Sequence, residues 1–343
     1  MDYSGRNTTY VKKVNKELIR QYLKDVSSAT NAEIASVTKL SVSTSSNILN
    51  ELINTKEVMI CDEIESNGGR PARRYYYNPD YEYELCIYTQ ISDTKKTLSY
   101  VVFDSIGREL KFEKINADVI DADFILDIID NVVNEYRNIG IIGFGIPGIT
   151  EGGIIKESDI KELEGVNLQR RIKEKYDVFV QISNEMNYMA YGYYKNSPVA
   201  SNAVIAYLAF AGGECPGCGL VVGERVVNGA NGFAGEVRYL FPRDSEGNTI
   251  KFYHGDDMIK AATDILVPII SIVNPEVVVI TGSLIERGDA DRILEECGKI
   301  VPGDYLPEIR YQEDSAQDYI RGLLELTLEE RVNKELGFGV SRM

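Results

Sequence analysis

The 343-residue sequence has no tryptophan, a single histidine and five cysteines without regular spacing. An odd number of scattered cysteines in a chain of this length predicts a reducing compartment, the cytoplasm, rather than a disulfide framework. No stretch approaches the roughly 20 apolar residues of a membrane-spanning helix, and the charged amino terminus does not have the pattern of a signal peptide. With 44% hydrophobic residues, the chain can bury two or three cores.

The stretch Thr30–Ile53 (TNAEIASVTKLSVSTSSNILNELI) predicts two short helices joined by a tight turn. The first begins with a capping box, Thr30-x-x-Glu33, whose side chains would satisfy free amides at a helix start, and Ser41 can cap the second. Apolar residues fall on one side of each helix. The opposite side of the second helix carries short hydrogen-bonding groups that suit a DNA groove. We therefore predict DNA contacts from Ser43, Thr44, Ser45, Asn47 and Asn50.

A basic segment follows at Asn67–Arg74 (NGGRPARR), and the β-like YYYN comes directly after it. Two helices, a turn and such an arm have the layout of a winged helix-turn-helix, which we predict for residues 1–78. Arg70, Arg73 and Arg74 suit a narrow A·T-rich minor groove. The alternative is an ordinary helical hairpin with a solvated polar face. An upstream helix is expected to add cations for the phosphates, from Lys12, Lys13, Lys16, Arg20 and Lys24.

Charge is distributed unevenly along the chain. The formal net charge is −16, but residues 1–80 carry 11 basic and 10 acidic side chains, against 26 and 43 in the remainder. Negative charge spread evenly would repel nucleic acid. We therefore expect a near-neutral head to bind DNA beside an acidic body, with an affinity that falls steeply as the salt concentration rises.

Beyond Asn78-Pro79, a plausible hinge, the pattern becomes α/β and predicts a body of two lobes with a cleft between them. We place the lobes at residues 79–195 and 196–343, and allow the last helix to return to the first lobe. The predicted strands are 85–91, 97–103, 141–146, 178–183, 203–210, 220–222, 226–227 and 277–282. The predicted helices are 124–136, 188–194 and 257–273, with a polar turn at 184–187 and a glycine-rich loop at 211–219.

Five motifs in this body resemble the ROK family, whose name joins repressors, open reading frames and sugar kinases. They are GFGIPG (143–148), LEGVNLQ (163–169), SNEMNYMAYG (183–192), NGANGFAGEV (228–237) and NPEVVVITGSL (274–284). The head followed by GGRP resembles the repressor branch, such as the xylose-type and N-acetylglucosamine-type regulators. The resemblance implies an actin-like ATPase body, dimeric or tetrameric, with a sugar in the cleft.

The chain departs from the family where phosphoryl transfer would occur. The first phosphate loop of the kinases reads Asp-x-Gly-Gly-Thr, whereas residues 89–94 read TQISDT, and the second loop, GGECPGCG at 212–219, contains a proline and a carboxylate. The family's catalytic aspartate is replaced by Glu185, whose longer side chain displaces the oxygen. Because phosphoryl transfer depends on positioning phosphates and a metal, we expect no active kinase and no bound ATP or magnesium. A sugar kinase that keeps a DNA-binding head is the alternative.

The zinc ligands of the family are also missing. Tyr239 stands where the family has histidine, and residues 240–252 contain no cysteine, so we expect no metal. Cys215 and Cys218 form a Cys-x-x-Cys pair that could bind metal or respond to redox, or simply pack in a tight loop. His254 is expected to be a surface or turn residue.

These observations predict a cytoplasmic transcriptional regulator, a repressor, that binds a roughly palindromic DNA operator as a homodimer or homotetramer. A sugar or sugar derivative in the cleft would shift the lobes and the spacing of the DNA heads; a cleft without a ligand is the alternative. The candidate ligand-binding residues are Gly145, Pro147, Gly148, Asn167, Asn184, Glu185, Glu236 and Tyr239.

Overall fold

The structure is a computed structural model that describes residues 8–61, 73–92, 95–211, 216–241 and 255–337. Arg70, His254 and residues 212–215 of the glycine-rich loop, with Cys215, lie outside the described residues, so the predictions made for them stay predictions. In the part of the chain that is described, no helix is long and apolar enough to cross a membrane.

The amino-terminal head contains three helices and three short strands. The two predicted helices and the turn between them are confirmed, as are the capping box at Thr30 and the cap at Ser41. The turn is tight because Lys39 ends the first of these helices in the left-handed conformation, at φ 57°. In chain order the elements are α1 Thr8–Asp25, β1 Ala29–Thr30, α2 Asn31–Thr38, α3 Val42–Asn54, β2 Val58–Ile60 and β3 Arg74–Tyr77.

The head has its own small hydrophobic core. The strands form an antiparallel sheet in the order β1-β3-β2, in which Val58 pairs with Tyr77. This sheet closes over the three helices and buries one apolar side of each. The buried apolar residues are Ile19, Leu23, Ala29, Ile34, Ile48, Leu49, Leu52, Val58 and Tyr77.

The body contains two five-stranded mixed sheets. The first has the order β10-β7-β4-β5-β6 and the second β13-β12-β11-β14-β15. Strands of the first lobe are β4 Tyr83–Ser92, β5 Lys95–Phe103, β6 Glu109–Ala117, β7 Ile139–Ile146, β8 Gly148–Glu151, β9 Ile154–Ser158 and β10 Phe179–Asn184. Those of the second are β11 Val204–Ala209, β12 Gly217–Val222, β13 Arg225–Val226, β14 Val277–Thr281 and β15 Glu308–Gln312.

Helices follow the strands in the same order in both lobes. The first lobe has α4 Ala122–Glu135, α5 Leu168–Lys175 and α6 Glu185–Asn196, and the second has α7 Asp256–Val273, α8 Arg287–Gly298 and α9 Ala316–Leu336. Each lobe therefore repeats three strands, a helix, a strand, a helix, a strand and a helix, with the hairpin β8–β9 added in the first. In both sheets three strands are antiparallel and the other pairings are parallel. This repeat makes α6 and α9 equivalent elements.

Helices α6 and α9 pack with their backbones in contact. A Cβ on Gly192 would overlap the carbonyl oxygen of Asp318, and a Cβ on Gly322 would overlap that of Tyr188. Each helix thus contributes a residue and the glycine four positions later, so the contact is reciprocal. Only glycine permits this approach, and the two lobes are joined closely along this line.

The prediction of a polar turn at residues 184–187 was wrong, because helix α6 already begins at Glu185. Asn184 caps this helix by accepting a hydrogen bond from the amide of Met186 at 2.7 Å. In the body, strands β6, β8, β9 and β15 and helices α5 and α8 had no counterpart among the predicted elements, and α9 is the last helix that was allowed to return to the first lobe. The boundaries at residues 78 and 195 remain predictions.

Candidate DNA interface and ligand cleft

The outer side of α3 carries most of the residues predicted to contact DNA. Ser43, Asn47 and Asn50 are exposed, and Thr44 is half-buried beside the cap that Ser41 provides. These positions lie three or four residues apart, so they follow one face of the helix. The face offers hydroxyl and amide groups that can donate or accept hydrogen bonds at base edges.

Ser45 does not belong to this face. It is fully buried, and its Oγ has no hydrogen-bond partner among the described residues. The reason is its position on the helix, since Ile48, Leu49 and Leu52 lie three, four and seven residues further along and enter the core. The prediction that Ser45 contacts DNA is therefore corrected.

The two described arginines of the predicted arm differ. Arg73 is exposed. Arg74 is held within the head, where it donates hydrogen bonds to Ser28 O at 2.8 Å and Ser28 Oγ at 3.0 Å and pairs with Glu33 at 3.4 Å. Arg74 thus ties β3 to the start of α2, and only Arg73 of these two presents an open charge for a phosphate.

The cations of α1 have partners within the protein, although Lys12 and Lys13 are exposed. Lys13 Nζ donates to Glu335 O of α9 at 2.7 Å, Arg20 binds Glu57, and Lys24 is half-buried near Glu84 of the body. Lys16 lies 4.0 Å from Glu57, and Lys12 pairs with Glu51 at 2.5 Å. The sequence reading missed Lys39, which is exposed in the turn between α2 and α3. The sequence signal for Lys39 was its place in the predicted turn, two residues before the cap residue Ser41.

A cleft lies between the two lobes of the body and encloses a cavity of about 160 Å³. It is formed where strands β4, β7, β11 and β14 end and where α6 and α9 begin, through Gln90, Pro147, Ala209, Thr281, Glu185 and Ser315. Ligand crevices of α/β sheets form at the carboxyl ends of strands, so this is the candidate site for a small molecule.

Five of the eight predicted ligand-binding residues line the cavity: Pro147, Gly148, Asn184, Glu185 and Glu236. Asn184, the last residue of β10, donates from Nδ2 to Gly148 O at the start of β8 at 2.7 Å. Its Oδ1 caps α6. The amide is therefore fixed in orientation. It holds the start of α6, and with it Glu185, at the wall of the cavity.

The other three predicted residues lie elsewhere. The ring of Tyr319 occupies the space beside Gly145 that a Cβ would need. Asn167 caps α5 and accepts a hydrogen bond from the amide of Arg170 at 2.9 Å. Tyr239 is 46% exposed, and its ring packs against Phe233 with centroids 5.2 Å apart. None of these three lines the cavity.

Glu236 lies in the cavity wall, and its side chain is 8% exposed. Burial raises its pKa, Arg238 opposes this shift, and the charges of Glu157 and Asp159 add to it. Arg238 Nε donates to Glu236 Oε2 at 2.9 Å. Arg238, Asp159 and Gln90 also line the cavity and were missed by sequence reasoning. The site can therefore offer carboxylate acceptors and a guanidinium donor to the hydroxyl groups of a ligand.

The described residues do not fit the zinc site of the family. Cys218 is buried, and its pKa is raised to about 12, so it is a neutral thiol rather than the thiolate that zinc requires. In the described ranges, no three histidine, cysteine, aspartate or glutamate side chains come together in a way that could hold a metal ion.

The described part of the expected nucleotide site is also poor in donors. Pro216 lines the cavity where the second phosphate loop would end, and proline has no amide hydrogen to donate to phosphate. Thr89 is fully buried, and its hydroxyl has no hydrogen-bond partner within the residues that are described. These residues do not form a phosphate cradle.

Comparison with solved structures shows the fold. A crystal structure of a ROK family transcriptional regulator, a homologue of the E. coli MLC protein, matches with a TM-score of 0.66 at 16% identity, covering 96% of this chain and 100% of that chain. A ROK hexokinase from Thermus thermophilus matches with a TM-score of 0.59 at 19% identity, covering 73% and 99%. The body therefore has the actin-like fold of ROK proteins.

Curated relatives give a similar result at the level of sequence. The chain is 26% identical over 241 residues to the xylose repressor of Bacillus subtilis, and 28% identical over 239 residues to that of Caldicellulosiruptor bescii. These alignments cover 68% and 67% of this chain and 61% and 59% of the relatives, so the chain spans about three fifths of their length. Residues 94–247 match the ROK family, and the chain contains a ROK family domain.

Proposed function

We propose that this protein is a DNA-binding transcriptional repressor whose head is a winged helix-turn-helix and whose cleft binds a sugar. The observation that carries the proposal is the exposed face of α3, with Ser43, Asn47 and Asn50, on a head joined to a ROK body. Support comes from relatives named xylose repressor and from the fold of a ROK transcriptional regulator.

The head has the parts that a winged helix-turn-helix needs. Helix α2, the turn at Lys39 and helix α3 supply the two helices, and α3 takes the role of the recognition helix. Strands β2 and β3 pair antiparallel, as the two strands of a wing do. Lys39 and Arg73 are exposed cations of the head. They would hold phosphates on either side of the groove.

A sugar is the ligand class that best suits the cleft. Asp159, Glu185 and Glu236 place three carboxylates at the cavity, and carboxylate oxygens accept hydrogen bonds from hydroxyl groups. Because two relatives are named for xylose, D-xylose is the first effector to test. The oligomer would be a dimer or tetramer, since helix-turn-helix dimers bind half-sites about one DNA turn apart.

The protein would act without enzymatic turnover, and without zinc, ATP or magnesium. Pro216 and the buried Thr89 lie where phosphate donors would be needed. Glu185 lines the cavity at the position of the family's catalytic base, which is the observation that favours a kinase as the second candidate. Incubation with ATP, magnesium and a sugar panel separates the two, because only a kinase releases ADP at an ordinary enzymatic rate.

Binding to DNA tests the proposal directly. Fluorescence anisotropy would measure the full chain on duplexes taken from upstream of its own gene and of neighbouring sugar-utilisation genes, with a shuffled duplex as control. We expect a Kd of about 10⁻⁸–10⁻¹¹ M on the correct duplex at physiological salt, and weaker binding with D-xylose or another sugar. Equal binding to the shuffled duplex would contradict the proposal.

A further inference from the structure

Helix α9 connects the cleft to the head. Ser315, which precedes its first residue, lines the cavity, and Arg331 and Glu335 near its end lie at the junction with the head. A helix of 21 residues is about 30 Å long at 1.5 Å per residue. A single rigid element therefore touches both the candidate ligand site and the DNA-binding module.

Close packing fixes α9 along the body. Its Gly322 contacts the backbone of α6 at Tyr188, and the equivalent Gly192 of α6 contacts α9 at Asp318. Tyr319 of α9 fills the space beside Gly145 of β7. Because α6 starts at Glu185 in the cavity wall, a displacement of either lobe around a ligand must displace α9 as well.

Charged groups join the last turns of α9 to the head. Arg331 pairs with Glu82, which directly precedes β4, and its Nε lies 3.1 Å from Glu335 Oε1. Glu335 Oε2 in turn lies 3.5 Å from Arg20 Nη1 of α1, and its carbonyl oxygen accepts a hydrogen bond from Lys13. The same glutamate thus holds a cation of the body and two cations of the head.

The network continues into the recognition helix. Arg20 binds both carboxylate oxygens of Glu57, which is 1% exposed. Glu57 also accepts a hydrogen bond from Tyr77 of β3 at 3.2 Å, and its amide donates to Leu52 O of α3 at 2.9 Å. The path from α9 to α3 therefore consists of paired and hydrogen-bonded groups.

We propose that α9 transmits the state of the cleft to the DNA-binding head, and that the Arg331–Glu335–Arg20 network sets the position of that head. This inference rests on the proposed function for its role in regulation. The structural linkage through α9 does not depend on that function. Coupling between two sites requires an element that both sites contact and can shift, and α9 is such an element. It can be measured without a ligand.

Hydrogen–deuterium exchange of the full chain tests the linkage. Arg331→Gln removes the network charge, and Arg321→Gln is a matched control, because Arg321 has only a surface pair with Glu325, also four residues later. Arg331→Gln should speed amide exchange in α3 and in the first turns of α6 by roughly 2- to 30-fold, and Arg321→Gln in neither. If α6 is unchanged, or if both variants act alike, the inference is wrong.

The regulatory part is tested on an operator duplex with D-xylose as the probe, and with melting curves to monitor binding to the cleft. Wild type and Arg321→Gln should lose DNA affinity on addition of sugar, whereas Arg331→Gln should bind sugar but lose most of that response. An unchanged response in Arg331→Gln overturns the inference. If wild type binds neither DNA nor sugar, the proposed function fails, while the exchange result still decides the linkage.

Discussion

The two faces of the head use charge in different ways. The inner face, towards the body, holds Arg20 and Lys24 half-buried, with Arg20 bound to the buried Glu57 and Lys24 near Glu84 of β4 in the body. The outer face presents neutral groups on α3, such as Asn47 and Asn50, with Lys39 exposed beside them. Of the five α1 cations that the sequence assigned to DNA, Lys16, Arg20 and Lys24 are half-buried, whereas Lys12 and Lys13 are exposed but paired. A count of basic residues does not locate a DNA interface when their partners come from distant segments.

The largest expected effect is on the inner face. Glu57→Gln removes the bidentate partner of the half-buried Arg20, which keeps Glu17 and Glu335, so the cost should lie at or below the roughly 3–5 kcal/mol of a broken buried pair. Urea denaturation followed by tyrosine fluorescence should show the head unfolding early. Glu51→Gln, which breaks the exposed pair with Lys12, should cost less than about 1 kcal/mol. If Glu57→Gln and Glu51→Gln lower the free energy of unfolding by similar amounts, the buried ion pair is no more important for stability than the exposed one.

On the outer face, the double substitution Asn47→Ala with Asn50→Ala should reduce binding to the correct duplex. Each good base contact contributes about 1–3 kcal/mol of discrimination. The melting temperature should stay unchanged because both side chains are exposed. Asn202→Ala, at an exposed turn of the body, is the control. Full retention of operator affinity in the double variant would remove α3 from the interface.

The pH dependence of stability tests the junction between head and body at Glu84 of β4. Burial raises its pKa well above the usual value, Lys24 offsets this in part, and its Oε2 has no hydrogen-bond partner in the described residues. Because the folded state holds this proton more tightly than the unfolded chain, stability falls as pH rises from about 4.3 through the folded pKa. Glu84→Gln stays neutral throughout.

The Glu84→Gln variant should therefore match wild type near pH 4 and exceed its stability at pH 7 by about 1–3 kcal/mol. Urea denaturation at several pH values measures this difference. The same difference at every pH would show that ionisation of Glu84 is not involved. Glu113→Gln, at an exposed position of β6, is the control.

The smallest expected effect belongs to Lys39. Lys39→Ala should weaken binding to all duplexes by a similar factor and lower the slope of log Kd against log salt by about 1. Lys260→Ala, exposed on α7 of the body, should leave the slope unchanged. A change in sequence preference without a change in slope would assign Lys39 to a base rather than a phosphate.

Local signals allowed the sequence to predict the head helices and most strands of the body. The caps at Thr30 and Ser41 involve residues three positions apart, so their geometry follows from the helix itself. Alternating and continuous apolar runs located strands such as β7 and β14 in the same way. Five of the eight ligand-binding predictions line the cavity because the family motifs end at strand termini.

Long-range packing explains what the sequence did not predict. Ser45 was assigned to the polar face because serine is polar, although its helical position matches that of the buried residues. Gly145 accommodates Tyr319, which lies 174 positions later in the chain (319 − 145). The last helix, α9, was expected without bounds, because it buries small and polar residues such as Gly322 and Thr327 along with leucines and so lacks a simple apolar pattern.

Hydroxyl-radical footprinting of the full chain on its operator tests the central claim most directly, namely that the outer face of the head binds specific DNA. We predict two protected half-sites whose centres lie about one helical turn or a multiple of it apart, with protection lost in the Asn47/Asn50 double variant. Protection that is absent, or that is equal on a shuffled duplex, would contradict the account.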